Sequence, residues 1–184
     1  MFAREMLKQS LPLVIVCGIG GIIAGNTLGA MIDILEEIPG LIVVIPAVIA
    51  LRGNINTALG SRLGSAYHLG IIDAENMWNF ELKQNVIGSL VLSLLMSLII
   101  GILSYVTSLL LKVHPDPIKL ISVVLLAGVI SGFILTFLTI FIIYIVFKRG
   151  YDPDNITGPA LATFGDVFSM LCIFGSAIFI GGIT

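Results

Sequence analysis

Five long apolar runs separated by short polar connections limit what this chain can become: roughly Leu11–Ile32, Leu41–Gly70, Val86–Leu111, Ile118–Phe147 and Gly158–Ile183. Each reaches the roughly 20 predominantly apolar residues that a helix needs to cross the hydrocarbon core of a bilayer. Backbone N–H and C=O groups find no water there, so a segment of this length satisfies them internally, as a helix. The expected fold is all-α: a polytopic membrane protein with five transmembrane helices in a single domain over residues 1–184, and no soluble domain. Composition agrees, with 58% hydrophobic and 11% charged residues against about 25% charged in a soluble domain. That balance argues against a disordered chain and against a water-soluble enzyme. The net charge of −2 supplies no basic field to hold nucleic acid. Cys17 and Cys172 each stand alone in an apolar run and read as buried free thiols.

Charge position orients the bundle. Arg4, Lys8, Lys83, Lys148 and Arg149 fall on one side of the spans, and Lys112 and Lys119 on the other. By the positive-inside rule the N-terminus is cytoplasmic and the C-terminus outside, in a multi-pass cell-membrane protein. The first run exceeds a typical signal-peptide core and no small-x-small site follows it, so it reads as a span. The connection Ile71–Gln84 is too short to fold alone and reads as an interfacial turn.

Three spans carry small residues at helical spacing: Gly18, Gly21, Gly25 and Gly29 in the first, Ser89, Ser93, Ser97 and Gly101 in the third, and Gly128, Gly132 and Thr136 in the fourth. Such stripes let helix backbones approach closely, which predicts a tight bundle and a seam for a second copy.

Of the 20 charged residues, Arg52, Arg62 and Asp166 fall well inside the runs, while the rest lie between them or at their edges. A charge at the bilayer centre costs at least ~2.5 kcal/mol on insertion scales, which marks these three as functional candidates. In the second span Pro46 and the stretch Arg52-Gly53-Asn54 predict a kink or local unwinding near mid-membrane. Beyond it Asn54, Thr57, Ser61, Ser65 and His68 share one face, too polar to meet lipid, which must line a hydrated path or pair with other helices. The fifth span opens on Asp152-Pro153-Asp154-Asn155 with prolines suited to a helix start. Thr163, Asp166, Ser169 and Met170 then form a face on which the carboxylate is either protonated, paired with Arg52 or Arg62, or turned to an aqueous path.

Two stretches carry a resemblance. Pro46-Ala47-Val48-Ile49-Ala50-Leu51-Arg52-Gly53-Asn54, followed by Thr57-Ala58-Leu59-Gly60-Ser61-Arg62-Leu63, resembles the second membrane helix of MgtE-type divalent cation transporters. The basic residue before Gly-Asn and the later Ser-Arg-Leu look closer to the eukaryotic solute-carrier relatives. Asp152-Pro153-Asp154-Asn155, then Gly158-Pro159 and Gly165-Asp166, is similar to that family's last helix. The resemblance implies a five-helix protomer in a homodimer, moving magnesium along a path lined by the second and fifth spans, with Mg²⁺ as cargo and no cofactor. It implies Asp166 as the ion ligand with the Gly53-Asn54 motif beside the path, and the polar faces read above add Thr57, Ser61, Thr163 and Ser169 as expected path-lining residues. Asp152, Asp154 and Asn155 are secondary candidates at the entrance. Arg52 and Arg62 are candidates for a gate or counter-charge. Mg²⁺ dehydrates reluctantly and is commonly held by one or two carboxylates with several waters retained, which suits so sparse a site. The eukaryotic relatives carry two copies of this unit and the bacterial ones a cytoplasmic sensor segment. Neither is seen in this sequence, so two chains would form the pair and gating would come from elsewhere.

An enzyme is not expected. The two aspartates of an intramembrane protease would have to be Asp152, in a loop, and Asp166, which lacks the first glycine of the required motif. No His-Glu-x-x-His zinc motif occurs, and His68 and His114 lie on opposite sides of the membrane. The alternative to a transporter is a non-transporting membrane partner or scaffold subunit, against which the polar faces of the second and fifth spans weigh.

Overall fold

A computed structural model describes residues 2–72, 78–149 and 153–183, the side chains of 2–6, 8–10, 153–155 and 183 excepted. Among these residues the chain forms α1 (Phe2–Ala30), the short α2 (Ile32–Glu37), α3 (Leu41–His68), α4 (Phe80–Leu110), α5 (Pro117–Lys148) and α6 (Pro153–Ile183). The five long helices are each long and apolar enough to cross a membrane. At 1.5 Å per residue they measure about 42–48 Å, the thickness of a bilayer with its headgroups.

Local chemistry sets the helix ends. Asn79 Oδ1 accepts from the Leu82 amide at 2.9 Å, so α4 starts at Phe80 and takes in the polar Glu81–Asn85 turn that the apolar run alone left out. Asp116 Oδ1 accepts from the Ile118 and Lys119 amides at 2.8 and 3.1 Å, and Pro117 occupies the first turn of α5, where its missing N–H costs nothing. Gly40, at φ 87°, turns the chain into α3 against Ser108 of α4. A Cβ there would meet both a left-handed backbone and the serine hydroxyl.

Two expectations are corrected. α3 is one unbroken helix from Leu41 to His68, without unwinding at Arg52-Gly53-Asn54. Pro46 falls in its second turn, so the carbonyl it leaves unpaired lies near the helix end, where such groups are readily solvated. Pro159 is inside α6 rather than at its start, since the helix already begins at Pro153.

α3 packs against α4, α5 and α6, while α6 also holds α1 and α5. α1 is peripheral. Its contact with α6 runs through Gly20, which sits hard against Thr163, and Ile15, Val16, Ile19, Ile22 and Ile23 point outward. The outer faces of α4 and α6 are equally apolar, from Leu94, Leu95 and Ile102 to Leu171, Ile178 and Phe179. Apolar surface on this scale belongs in lipid. The small-residue stripes divide accordingly. Ser89, Ser93, Ser97 and Gly101 of α4 and Gly128, Gly132 and Thr136 of α5 are buried in the protomer. Gly18, Gly21, Gly25 and Gly29 of α1 face open space, and a Cβ added at any of them would meet nothing within 4 Å.

Candidate functional site

The polar face of α3 stays open. Asn54, Ser61, Arg62, Ser65 and His68 are exposed and Thr57 is half-buried, whereas Leu51, Ile55, Leu59 and Leu63 fill the interior. Thr57 Oγ1 donates to the Gly53 carbonyl at 2.7 Å, which secures the helix one turn past Gly53 while its methyl stays available for packing. α6 meets this helix glycine to glycine: a Cβ on Gly165 would lie 3.8 Å from the Gly53 nitrogen. Asp166 follows directly, half-buried and without a hydrogen bond or ion pair to any described residue. Further along the same groove Thr57, Gly60, Ser61, Thr157, Gly158 and Leu161 line a notch of about 150 Å³ between α3 and α6. The notch thus carries the Thr57 and Ser61 side chains, and Asn54 and Asp166 each directly follow a glycine of the Gly53–Gly165 contact. Oxygen donors of this kind suit a hard cation such as Mg²⁺.

Arg52 is elsewhere. Its side chain is fully buried and turns away from the groove into the α4–α5 contact. Nη1 donates to Ser93 Oγ at 2.7 Å and Nη2 to Ser97 Oγ at 2.9 Å. Of the roles open to it from sequence, pairing with Asp166 is absent here: among the described residues neither Arg52 nor Asp166 makes an ion pair. Arg62 is exposed on the α3 face.

The expected α6 face also divides. Thr163 Oγ1 donates to the Pro159 carbonyl at 3.0 Å, and its methyl packs on Gly20 of α1. Ser169 and Met170 are buried inside the protomer. The structure therefore sets Gly165, the residue before Asp166, against Gly53 of α3, and places Thr163 against α1 and Ser169 in the protomer interior.

Comparison with known proteins decides the family of the chain. The MgtE family, described as divalent cation transporter, matches residues 45–176, which include α3 from Ile45 onward and α6 through Ser176. The chain belongs to the MgtE divalent cation transporter family. Solute carrier family 41 member 2 of Xenopus laevis is 30% identical over 175 residues, 90% of this chain and 30% of that protein. Member 2 of Homo sapiens is 26% identical over the same length. Member 3 of Rattus norvegicus is 27% identical over 172 residues, 89% of this chain and 36% of that protein. This MgtE-family chain thus spans about a third of the length of the relatives it matches. Membership in a transporter family agrees with the sequence expectation that the chain is not an enzyme.

Asp152, and the side chains of Asp154 and Asn155, lie outside the described residues. Two features of the MgtE bundle were not singled out from sequence as belonging to one site. Ser93 and Ser97, read there as packing residues, hold the Arg52 guanidinium. Asn56, four residues after Arg52, is buried with both polar atoms unpartnered among the described residues. The i, i+4 spacing of Arg52 and Asn56 was the available signal, since it puts both on one helix face.

Proposed function

We propose that the chain is a magnesium transporter that moves a largely hydrated ion along the α3–α6 groove, with Asp166 as the ion ligand and Gly53, Asn54, Thr57 and Ser61 bordering the path. The observation that carries this reading is the open polar face of α3 beside a carboxylate with no partner among the described residues. In lipid such a face is costly, so it calls for a second polar surface. A homodimer supplies it: two copies facing across an axis give two Asp166 carboxylates and a doubled set of hydroxyls. The open glycine stripe of α1 is a second surface suited to close helix contact. A carboxylate pair with water-mediated contacts otherwise binds loosely enough to release the ion, as conduction requires. The Lys and Arg distribution supports a cytoplasmic N-terminus.

Two measurements test this. In proteoliposomes, Mg²⁺ uptake is expected to exceed that of empty vesicles at least tenfold and to exceed Ca²⁺ uptake, because Ca²⁺ favours more direct protein ligands than this groove offers. Repeating it with and without Na⁺ and proton gradients separates a channel from a coupled exchanger. Absence of flux for every divalent ion would favour a scaffold subunit. For the interface, single cysteines at Ala58 or Ser65, in a chain with Cys17 and Cys172 replaced, are expected to cross-link two copies under oxidation. A cysteine at Ile99, on the outer face of α4, is expected to stay monomeric because disulfides need Cα atoms within about 7 Å. Cross-linking at Ile99 alone would move the interface off α3.

A further inference from the structure

The protomer interior is split in two. One hydrophobic cluster joins Leu41, Val44 and Val48 of α3 to Leu120 and Val124 of α5 and Ile173 of α6. The other joins Leu59 and Leu63 of α3 to Leu82 and Val86 of α4 and Ile140 and Ile143 of α5. A polar layer separates them, and the register of three helices defines it. Gly128 lies against Ser97 and Gly132 against Ser93, with the Arg52 guanidinium reaching both glycines. α4 and α5 run antiparallel, so the next turn sets Ser89 opposite Thr136. On α3, Arg52 meets Gly132 and Gly60 meets Thr139 and Ile143. Asn56, midway between, therefore lies level with Thr136.

Asn56, Ser89 and Thr136 are at most 1% exposed. Among the described residues neither polar atom of Asn56, nor Ser89 Oγ, nor Thr136 Oγ1 has a hydrogen-bond partner, and Arg52 Nε is likewise unpartnered. Buried polar groups are normally satisfied, so three orphaned side chains in one layer, beside an orphaned N–H, point to a ligand. Charge narrows its identity. Arg52 is fully buried, and among the described residues its acceptors are serine hydroxyls and the titratable side chain close enough to act on it is the Cys172 thiol, which in its ordinary form is neutral at pH 7. A buried charge normally has a counter-charge.

We infer that the layer is a binding site for a small monovalent anion of chloride size, held within each protomer by Arg52, Asn56, Ser89 and Thr136. The guanidinium N–H, the carboxamide NH₂ and both hydroxyls can all donate to one anion, and the anion offsets the arginine charge. A water molecule in the same place accepts fewer of these donors and leaves the charge uncompensated, and a cation is repelled. The anion is held rather than transported, because hydrophobic clusters bound the layer at both ends. The site stands independently of the cation path: it faces α4 and α5, away from the groove that carries Asp166.

Bromide tests it directly. Anomalous diffraction from the full chain crystallised in bromide is expected to show one bromide per chain between Asn56, Ser89 and Thr136. Thermal unfolding is expected several degrees higher in chloride or bromide than in gluconate at equal ionic strength, because a ligand bound only to the folded state stabilises it. Thr136→Val preserves shape, removes one donor and leaves Arg52 with its serines, so it is expected to fold and to lose most of that halide-dependent rise. No bromide in the layer overturns the inference. So does halide stabilisation equal in Thr136→Val and the parent chain, which would put the anion elsewhere.

Discussion

Asp166→Asn is expected to lower Mg²⁺ flux at least a hundredfold in proteoliposomes while leaving the melting temperature of the chain unchanged or slightly raised. The two halves of this expectation have separate origins. Asp166 makes no hydrogen bond or ion pair to a described residue, so the substitution removes no internal contact, and relieving a half-buried carboxylate of its charge costs the fold nothing. The ion loses far more. At an effective dielectric of about 20, a unit charge some 5 Å from a divalent ion contributes roughly 6–7 kcal/mol before desolvation is subtracted. Even a third of that, about 2 kcal/mol, from each of two protomers would exceed a hundredfold change in occupancy. Asn keeps the shape and an oxygen but not the charge, which makes it a sharper probe than Ala. Asp166→Glu keeps the charge on a longer stem and is expected to retain part of the flux. Parent-level flux from Asp166→Asn, measured with an entrapped Mg²⁺-sensitive dye, would remove the carboxylate from the ion path.

The helical architecture was legible because it follows from run length and lipid chemistry, and those leave few alternatives. Helix ends were less so. The Asn79 cap and Pro153 extend α4 and α6 past the apolar runs, and capping depends on single side chains rather than on average hydropathy. The open face of α3 was readable from i, i+3 and i+4 spacing, which the unbroken helix preserves. The disposition of α6 was not. Its periodicity put Thr163, Asp166, Ser169 and Met170 on one broad face, but the packing of α1 against Thr163 and of the core around Met170 divides that face. Only knowledge of which helices flank α6 could do so. Arg52 shows the same limit. As a membrane cation next to Gly-Asn it invited pairing with Asp166, and nothing in the sequence says that its side chain turns the other way, into the serines of α4.

That turn depends on two glycines, and the second large effect follows from it. Gly132→Ala is expected to destabilise the chain by about 2–4 kcal/mol. A Cβ at Gly132 would stand 2.6 Å from Arg52 Nη1 and 2.8 Å from Ser93 Cβ, so either the guanidinium or α4 must shift. Crowding a packed interior costs about 1–3 kcal/mol, and loss of the charged Nη1–Ser93 hydrogen bond adds about 1.5–3 kcal/mol. Better helix propensity for alanine returns about 1 kcal/mol, too little to offset them. For a chain of this size the net corresponds to a melting temperature lower by roughly 4–15 °C. Gly88→Ala on the exposed side of α4 is the matched control, since nothing lies within 4 Å of the added methyl, and it is expected to leave the melting temperature within about 2 °C or raise it slightly. If both alanine variants melted alike, the glycines of α5 would not be what admits Arg52, and the guanidinium would have to lie outside the α4–α5 contact.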